Sequence, residues 1–93
     1  MKTLKTLRAE LLAKPDVRAA YEAQAPEFEM AHELIAARMR AGLTQAQIAQ
    51  RMGTTQSVIA RLEAGNRMPS LRTVQRYAQA TGCQAKLRLE PLP

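Results

Sequence analysis

Residues 44–63 hold two helical repeats of only about two turns each, joined through Met52-Gly53-Thr54, and this spacing limits the fold more than any other feature of the chain. Helices this short are marginal alone, so packing against neighbours must hold them. A glycine in so brief a joint sends the second helix across the first at a steep angle. Thr44 with Gln47 makes a capping-box spacing ahead of Ile48, Ala49 and Met52, and Thr55 can cap a segment carrying Val58, Ile59 and Leu62.

The same punctuation organises the rest. Gly42, Gly53, Gly65 and Gly82 each fall just past a periodic segment, and Ser70 can cap a helix carrying Leu71, Val74, Tyr77 and Ala78. Upstream, Leu4, Leu7, Leu11 and Leu12 predict an amphipathic helix over residues 3–14. Pro15 and Pro26 are each expected to open a further helix, the first through Val17, Ala20 and Tyr21, the second carrying Phe28, Ala31, Leu34, Ile35 and Met39. After Gly82 the period becomes two: Cys83, Ala85, Leu87 and Leu89 alternate with Gln84, Lys86, Arg88 and Glu90. That pattern predicts a strand with Cys83 as a small buried hydrophobe at its head. With no second strand in the chain, its pairing has to come from another molecule.

The expected architecture is therefore mostly α. A compact helical bundle holds a helix-turn-helix over residues 26–82, with an N-terminal helical segment over 1–25 and one C-terminal β-strand over 83–93 that serves dimerisation. A globule of this length has a radius of gyration of about 12 Å.

Charge and composition exclude several functions. Residues 1–33 carry five basic and six acidic groups, net −1, while residues 34–93 carry nine basic groups against Glu63 and Glu90, net +7. A solvated face usually mixes signs, so this asymmetry is the electrostatic footprint of a nucleic-acid binder. Ten of the fourteen basic residues are arginines, whose planar fork suits phosphate and guanine. Tyr21, Phe28 and Tyr77 are the only aromatics, too few to stack successive unpaired bases. Cys83 and His32 each occur once, so neither a cysteine-rich nor a multi-histidine metal site can form within one chain, and no metal, cofactor or catalytic group is expected. His32 is expected at the surface or in helix packing. The start alternates charge with leucine and no long apolar run follows, so neither a membrane nor export is indicated and a cytoplasmic protein is expected.

The wording of the central segment is more specific than its spacing. Leu43-Thr44-Gln45-Ala46-Gln47-Ile48-Ala49, Met52-Gly53-Thr54-Thr55-Gln56-Ser57-Val58-Ile59, Leu62-Glu63-Ala64-Gly65 and Pro69-Ser70 closely resemble the helix-turn-helix family of phage Cro and C1 repressors, a lambda-repressor-like fold. The flanks, Val17, Ala20-Tyr21, Glu27-Phe28, Glu33-Leu34-Ile35 and Tyr77-Ala78-Gln79-Ala80-Thr81-Gly82, look like HigA-type antitoxins of bacterial toxin–antitoxin pairs. That likeness implies a HigB-type toxin partner, a small ribonuclease of the RelE-like fold, and repression of the chain's own operon.

Turning Val58, Ile59 and Leu62 inward leaves Gln56, Ser57, Ala60 and Arg61 outside. A recognition helix enters the major groove N-terminus first, and Gln suits adenine as Arg suits guanine. The resemblance carries base contact onto Gln56, Ser57 and Arg61. It likens Thr44 and Gln45 to the family's phosphate clamp; Thr55, Asn66 and Arg67 are the further phosphate candidates. It also pairs Glu63 with Arg38 as a structural ion pair. The strand residues Cys83, Ala85, Leu87 and Leu89 are expected at a homodimer interface reading a palindromic operator. The rival readings are a repressor with no toxin partner and an interaction protein with a vestigial helix-turn-helix.

Overall fold

The computed structural model describes residues 3–93, without the side chains at 12, 16–18, 20 and 21. Five helices run in order through this part: α1 (Leu4–Leu12), α2 (Pro15–Arg40), α3 (Gln45–Met52), α4 (Gln56–Glu63) and α5 (Leu71–Ala80). The expected caps form. Thr44 Oγ1 accepts from the Gln47 N–H at 3.1 Å, and Gln47 Oε1 accepts from the Thr44 N–H at 2.8 Å. Thr55 Oγ1 and Ser70 Oγ accept from the Val58 and Thr73 N–H groups at 3.3 and 3.1 Å. Gly53, at φ 67°, ends α3 in the left-handed region, and the Thr54 N–H closes back on the Ala49 carbonyl at 2.9 Å.

Three expectations need correction. Pro26 opens no helix: α2 runs through it for 26 residues. The missing N–H costs one hydrogen bond of the ladder, but alanines and glutamates on both sides favour helix, and exposed Pro26 clashes with no neighbouring element. The segment 83–93 is not a strand, and beyond the Cys83 N–H bond to the Ala78 carbonyl it makes no backbone bond to the bundle. Alternation supplies an apolar face, but a strand also needs a second backbone, and the described residues offer none. Cys83 is therefore exposed rather than buried, and Leu87, Leu89 and Leu92 are 74%, 89% and 93% exposed. The radius of gyration is 15.4 Å, with extents of 42 × 40 × 20 Å, because α2 alone is ~39 Å long at 1.5 Å per residue and α1 extends the molecule beside it. Along α1, Leu4, Leu7 and Leu11 remain exposed. The expected stripe of Val17, Ala20 and Tyr21 lies outside the described residues.

The core is built where α2, α3, α4 and α5 meet. Ile48, Ile59 and Tyr77 are fully buried, joined by Leu34, Ala49, Met52 and Ala80, with Leu43, Leu62 and Val74 packed at its edge. Burying an isoleucine side chain stabilises by about 1.5–3 kcal/mol, which is what holds two-turn helices that propensity alone would not. Gly65, at φ 76°, lies under Phe28: a Cβ there would stand 2.8 Å from Phe28 Cδ1. This close approach ties α2 to the loop that follows α4.

A polar cluster crosses the same junction. The Glu63 carboxylate, 4% exposed, accepts from Arg38 Nη2 and Nε at 2.9 Å, from the Tyr77 hydroxyl at 2.8 Å and from Gln45 Nε2 at 3.3 Å. Arg38 Nη1 also donates to the Leu43 carbonyl at 3.0 Å. Burial pushes the Glu63 carboxyl up, but the hydrogen bonds from Arg38, Tyr77 and Gln45 together outweigh it and hold it below the ordinary value of 4.5. The Tyr77 phenol is pushed up by burial and by the adjoining carboxylate, so it stays protonated and donates. A carboxyl with a depressed folded value stabilises fully above its unfolded value, and that contribution is lost as pH falls through the folded value. Glu63→Gln should cost about 3 kcal/mol in urea unfolding at pH 7, because it leaves the Arg38 charge without its partner. It should also flatten the fall in stability below pH 4.5. A variant whose acid limb matched the parent's would show that Glu63 does not couple stability to pH.

Candidate nucleic-acid interface

The outward edge of α4 is set by what its inward edge must bury. With Ile59 fully buried and Val58 and Leu62 half-buried, Gln56, Ser57, Ala60 and Arg61 are exposed. Arg61 Nε donates to the Ser57 carbonyl at 3.4 Å, which draws the side chain back along the helix beside Ser57. Three polar groups thus stand exposed on α4, Gln56 and Ser57 in its first turn and Arg61 in its last. Thr55 spends an oxygen lone pair on the Val58 N–H, and its hydroxyl hydrogen can still donate to an acceptor outside.

The loop after α4 extends this edge. Asn66 and Arg67 are exposed, and with Arg61, Val58, Leu62 and Pro69 they line a shallow cleft of about 410 Å³. The structure therefore brings one candidate for base contact together with two candidates for phosphate. At the start of α3 the placement is different. The Thr44 N–H is taken by Gln47, so it is the Gln45 and Ala46 N–H groups, at the first two helical positions, that lack intrahelical acceptors. The Gln45 side chain turns to Glu63 rather than standing free, with one amide hydrogen left for an anion.

Arg38 and Glu63 lie in contact, as the ion pair described above. Tyr77 and Gln45 were missed as members of that pair's cluster. The signal available was indirect: a lone acid in a basic segment, if buried, needs several donors, and Tyr77 is a core position with a polar end. Cys83 and half-buried Ala85 line a shallow cleft with Gln75 and Gln79 of α5, whereas Leu87 and Leu89 are exposed as the segment leaves the bundle. His32 is exposed at a cleft of about 680 Å³ with Arg8, Phe28, Glu29 and Glu33. Among the described residues no three of His, Cys, Asp or Glu cluster in a way that could hold a metal ion, and no helix is long and apolar enough to cross a membrane.

The chain is similar to antitoxin HigA1 from two strains of Mycobacterium tuberculosis, at 32% identity over 80 residues, 86% of this chain and 54% of that protein. It spans about half the length of these curated relatives. No solved structure matches the chain. Residues 34–86, which contain the whole of α3, α4 and α5 with the end of α2, match the helix-turn-helix family. The chain belongs to the helix-turn-helix family of DNA-binding proteins.

Proposed function

We propose that this protein is a sequence-specific repressor that binds double-stranded operator DNA as a two-fold homodimer, and that it is an antitoxin which represses its own operon and neutralises a RelE-like ribonuclease. It acts in the bacterial cytoplasm, on the nucleoid when bound to DNA. The observation that carries the DNA reading is the exposure of Gln56, Ser57 and Arg61 on a helix whose other side is locked into the core, within a segment of net charge +7. Gln56 and Ser57 read base edges near the helix N-terminus and Arg61 reads one turn later, while Thr44, Gln45, Thr55, Asn66 and Arg67 hold phosphates. The antitoxin reading is supported by the likeness to HigA1. A partner's surface over Leu4, Leu7 and Leu11 gives the exposed stripe of α1 the cover that its own chain does not.

Each chain carries one recognition helix, whereas half-sites of a palindrome lie about 34 Å apart, so reading both requires two copies. In the proposed dimer, residues 83–90 of two copies lie antiparallel and exchange the backbone bonds that one copy alone cannot make, with Cys83, Ala85, Leu87 and Leu89 turned onto the helices.

Arg61→Ala should weaken binding to the operator about tenfold or more beyond its effect on random duplex, whereas Arg67→Ala should weaken both alike, because only base contacts discriminate. Equal losses on both duplexes for Arg61→Ala, by fluorescence anisotropy, would remove its base-reading role. Deleting residues 1–14 should leave operator binding intact and abolish co-purification with the proposed RelE-like toxin. A deletion that still bound and inhibited the toxin would rule out α1 as the contact. Truncation after Gly82 should yield a folded monomer by analytical ultracentrifugation that binds half-sites weakly. If the truncated chain dimerised with unchanged affinity, the C-terminal segment could not be the dimer contact.

A further inference from the structure

Two arginines outside the α4 edge cross between α3 and α5. Arg51, in the last turn of α3, donates from Nη1 to the carbonyl of Ala80, the last residue of α5, at 2.8 Å. Arg76, on α5, donates from Nη2 to the carbonyl of Met52, the last residue of α3. Each guanidinium thus caps the C-terminal end of the other's helix, where carbonyls lack intrahelical donors and partial negative charge collects. With Gln79 they line one cleft of about 280 Å³ that no acidic residue enters. Glu63, the sole acid of residues 34–89, is committed to Arg38, Tyr77 and Gln45. The helix ends are the counter-charge for this pair.

The Arg76 bond falls at a sensitive point. Met52 directly precedes Gly53, whose left-handed backbone turns the chain, and Thr54 is already tied to Ala49. Thr55 then caps α4 and Gln56 begins it. Any rotation of the peptide after Met52 would swing the N-terminus of α4, the end that carries Gln56 and Ser57. Glycine is the residue least able to resist that rotation by itself. A donor planted on the Met52 carbonyl from a third helix resists it.

We infer that Arg76, with Arg51 as its reciprocal, is a positioning residue for sequence reading: it fixes the joint between α3 and α4 so that Gln56 and Ser57 meet base edges in register, and it touches no DNA itself. This rests on the DNA-reading function proposed above. Good bidentate contacts lose their discrimination when misaligned, so the effect belongs to specificity rather than to overall affinity.

The test uses the full chain, with a duplex enriched by the parent protein from a random library and a random duplex of equal length. Arg76→Met should lose about tenfold on the enriched duplex and less than twofold on the random one, with an unchanged salt slope, and Arg76→Lys should recover most of the loss. In a double-mutant cycle with Gln56→Ala the two losses should fall well short of adding, because Arg76 acts through Gln56. Without DNA, amide exchange at Gly53 and Thr54 should quicken in Arg76→Met. Equal loss on both duplexes with the salt slope falling by about one would make Arg76 a phosphate contact and overturn the inference. So would additive losses or unaltered exchange at the joint. A parent protein that enriched no duplex would instead remove the DNA-reading function itself, with the exchange measurement still reporting on the joint.

Discussion

A single buried carboxylate decides how the four helices of the binding domain are placed. Glu63 sits at the end of α4, and its donors come from α2 (Arg38), α3 (Gln45) and α5 (Tyr77). Taking a carboxylate out of water costs several kcal/mol, which is recovered only when its lone pairs are filled in good geometry. Filling them requires all three neighbouring helices at one distance and angle from α4. Apolar contacts around Ile48 and Ile59 supply most of the stabilisation but tolerate small slides; hydrogen bonds of 2.8–2.9 Å do not. The arrangement also removes the one negative charge of residues 34–89 from the surface. What remains outside is basic, and the proposed DNA face is spared the repulsion that an exposed carboxylate would add.

How much of this was legible in the sequence depended on the range of the interaction. The caps at Thr44, Thr55 and Ser70 and the end of α3 at Gly53 are local chemistry, decided within four residues, and the structure forms each of them. So is the inward set on α4, since Val58, Ile59 and Leu62 fix which residues face out. Local rules failed where a longer-range condition intervened. Pro26 has the signature of a helix start, yet the alanine-rich chain on both sides lets α2 continue through it. The alternation after Gly82 satisfies the side-chain half of a strand but not the backbone half, which depends on a partner. Tyr77 read correctly as core, but its hydroxyl's acceptor lies fourteen positions away, and no spacing rule reaches that far. The crossing of Arg51 and Arg76 needs the mutual placement of α3 and α5, so it could not be seen from the charge pattern.

The two parts of the chain differ in how complete they are. From Leu34 onward the buried side chains account for one another, and the polar groups among them are paired. Upstream, within a segment of net charge −1, Leu4 stands almost wholly in solvent and Leu7 and Leu11 are partly exposed. Exposed leucines at helical spacing are costly unless something covers them. The C-terminal residues 83–93 pose the same problem with backbone groups as well as side chains. Apolar side chains at both ends therefore remain exposed, while the centre is closed.

In the proposed complex, stability and binding draw on some of the same residues without conflict. Each of the caps at Thr44, Thr55 and Ser70 turns an oxygen lone pair inward to a backbone N–H, which stops a helix of eight or ten residues from fraying. Caps of this kind leave some of the orphan donors at a helix start unpaired, at α3 those of Gln45 and Ala46. They carry the positive end of the helix dipole toward whatever approaches. At Thr44 and Thr55 the approaching group in the proposed complex is a phosphate. The hydroxyl that holds the helix in the free protein thus also orients the amides beside it, so the face is set before DNA arrives.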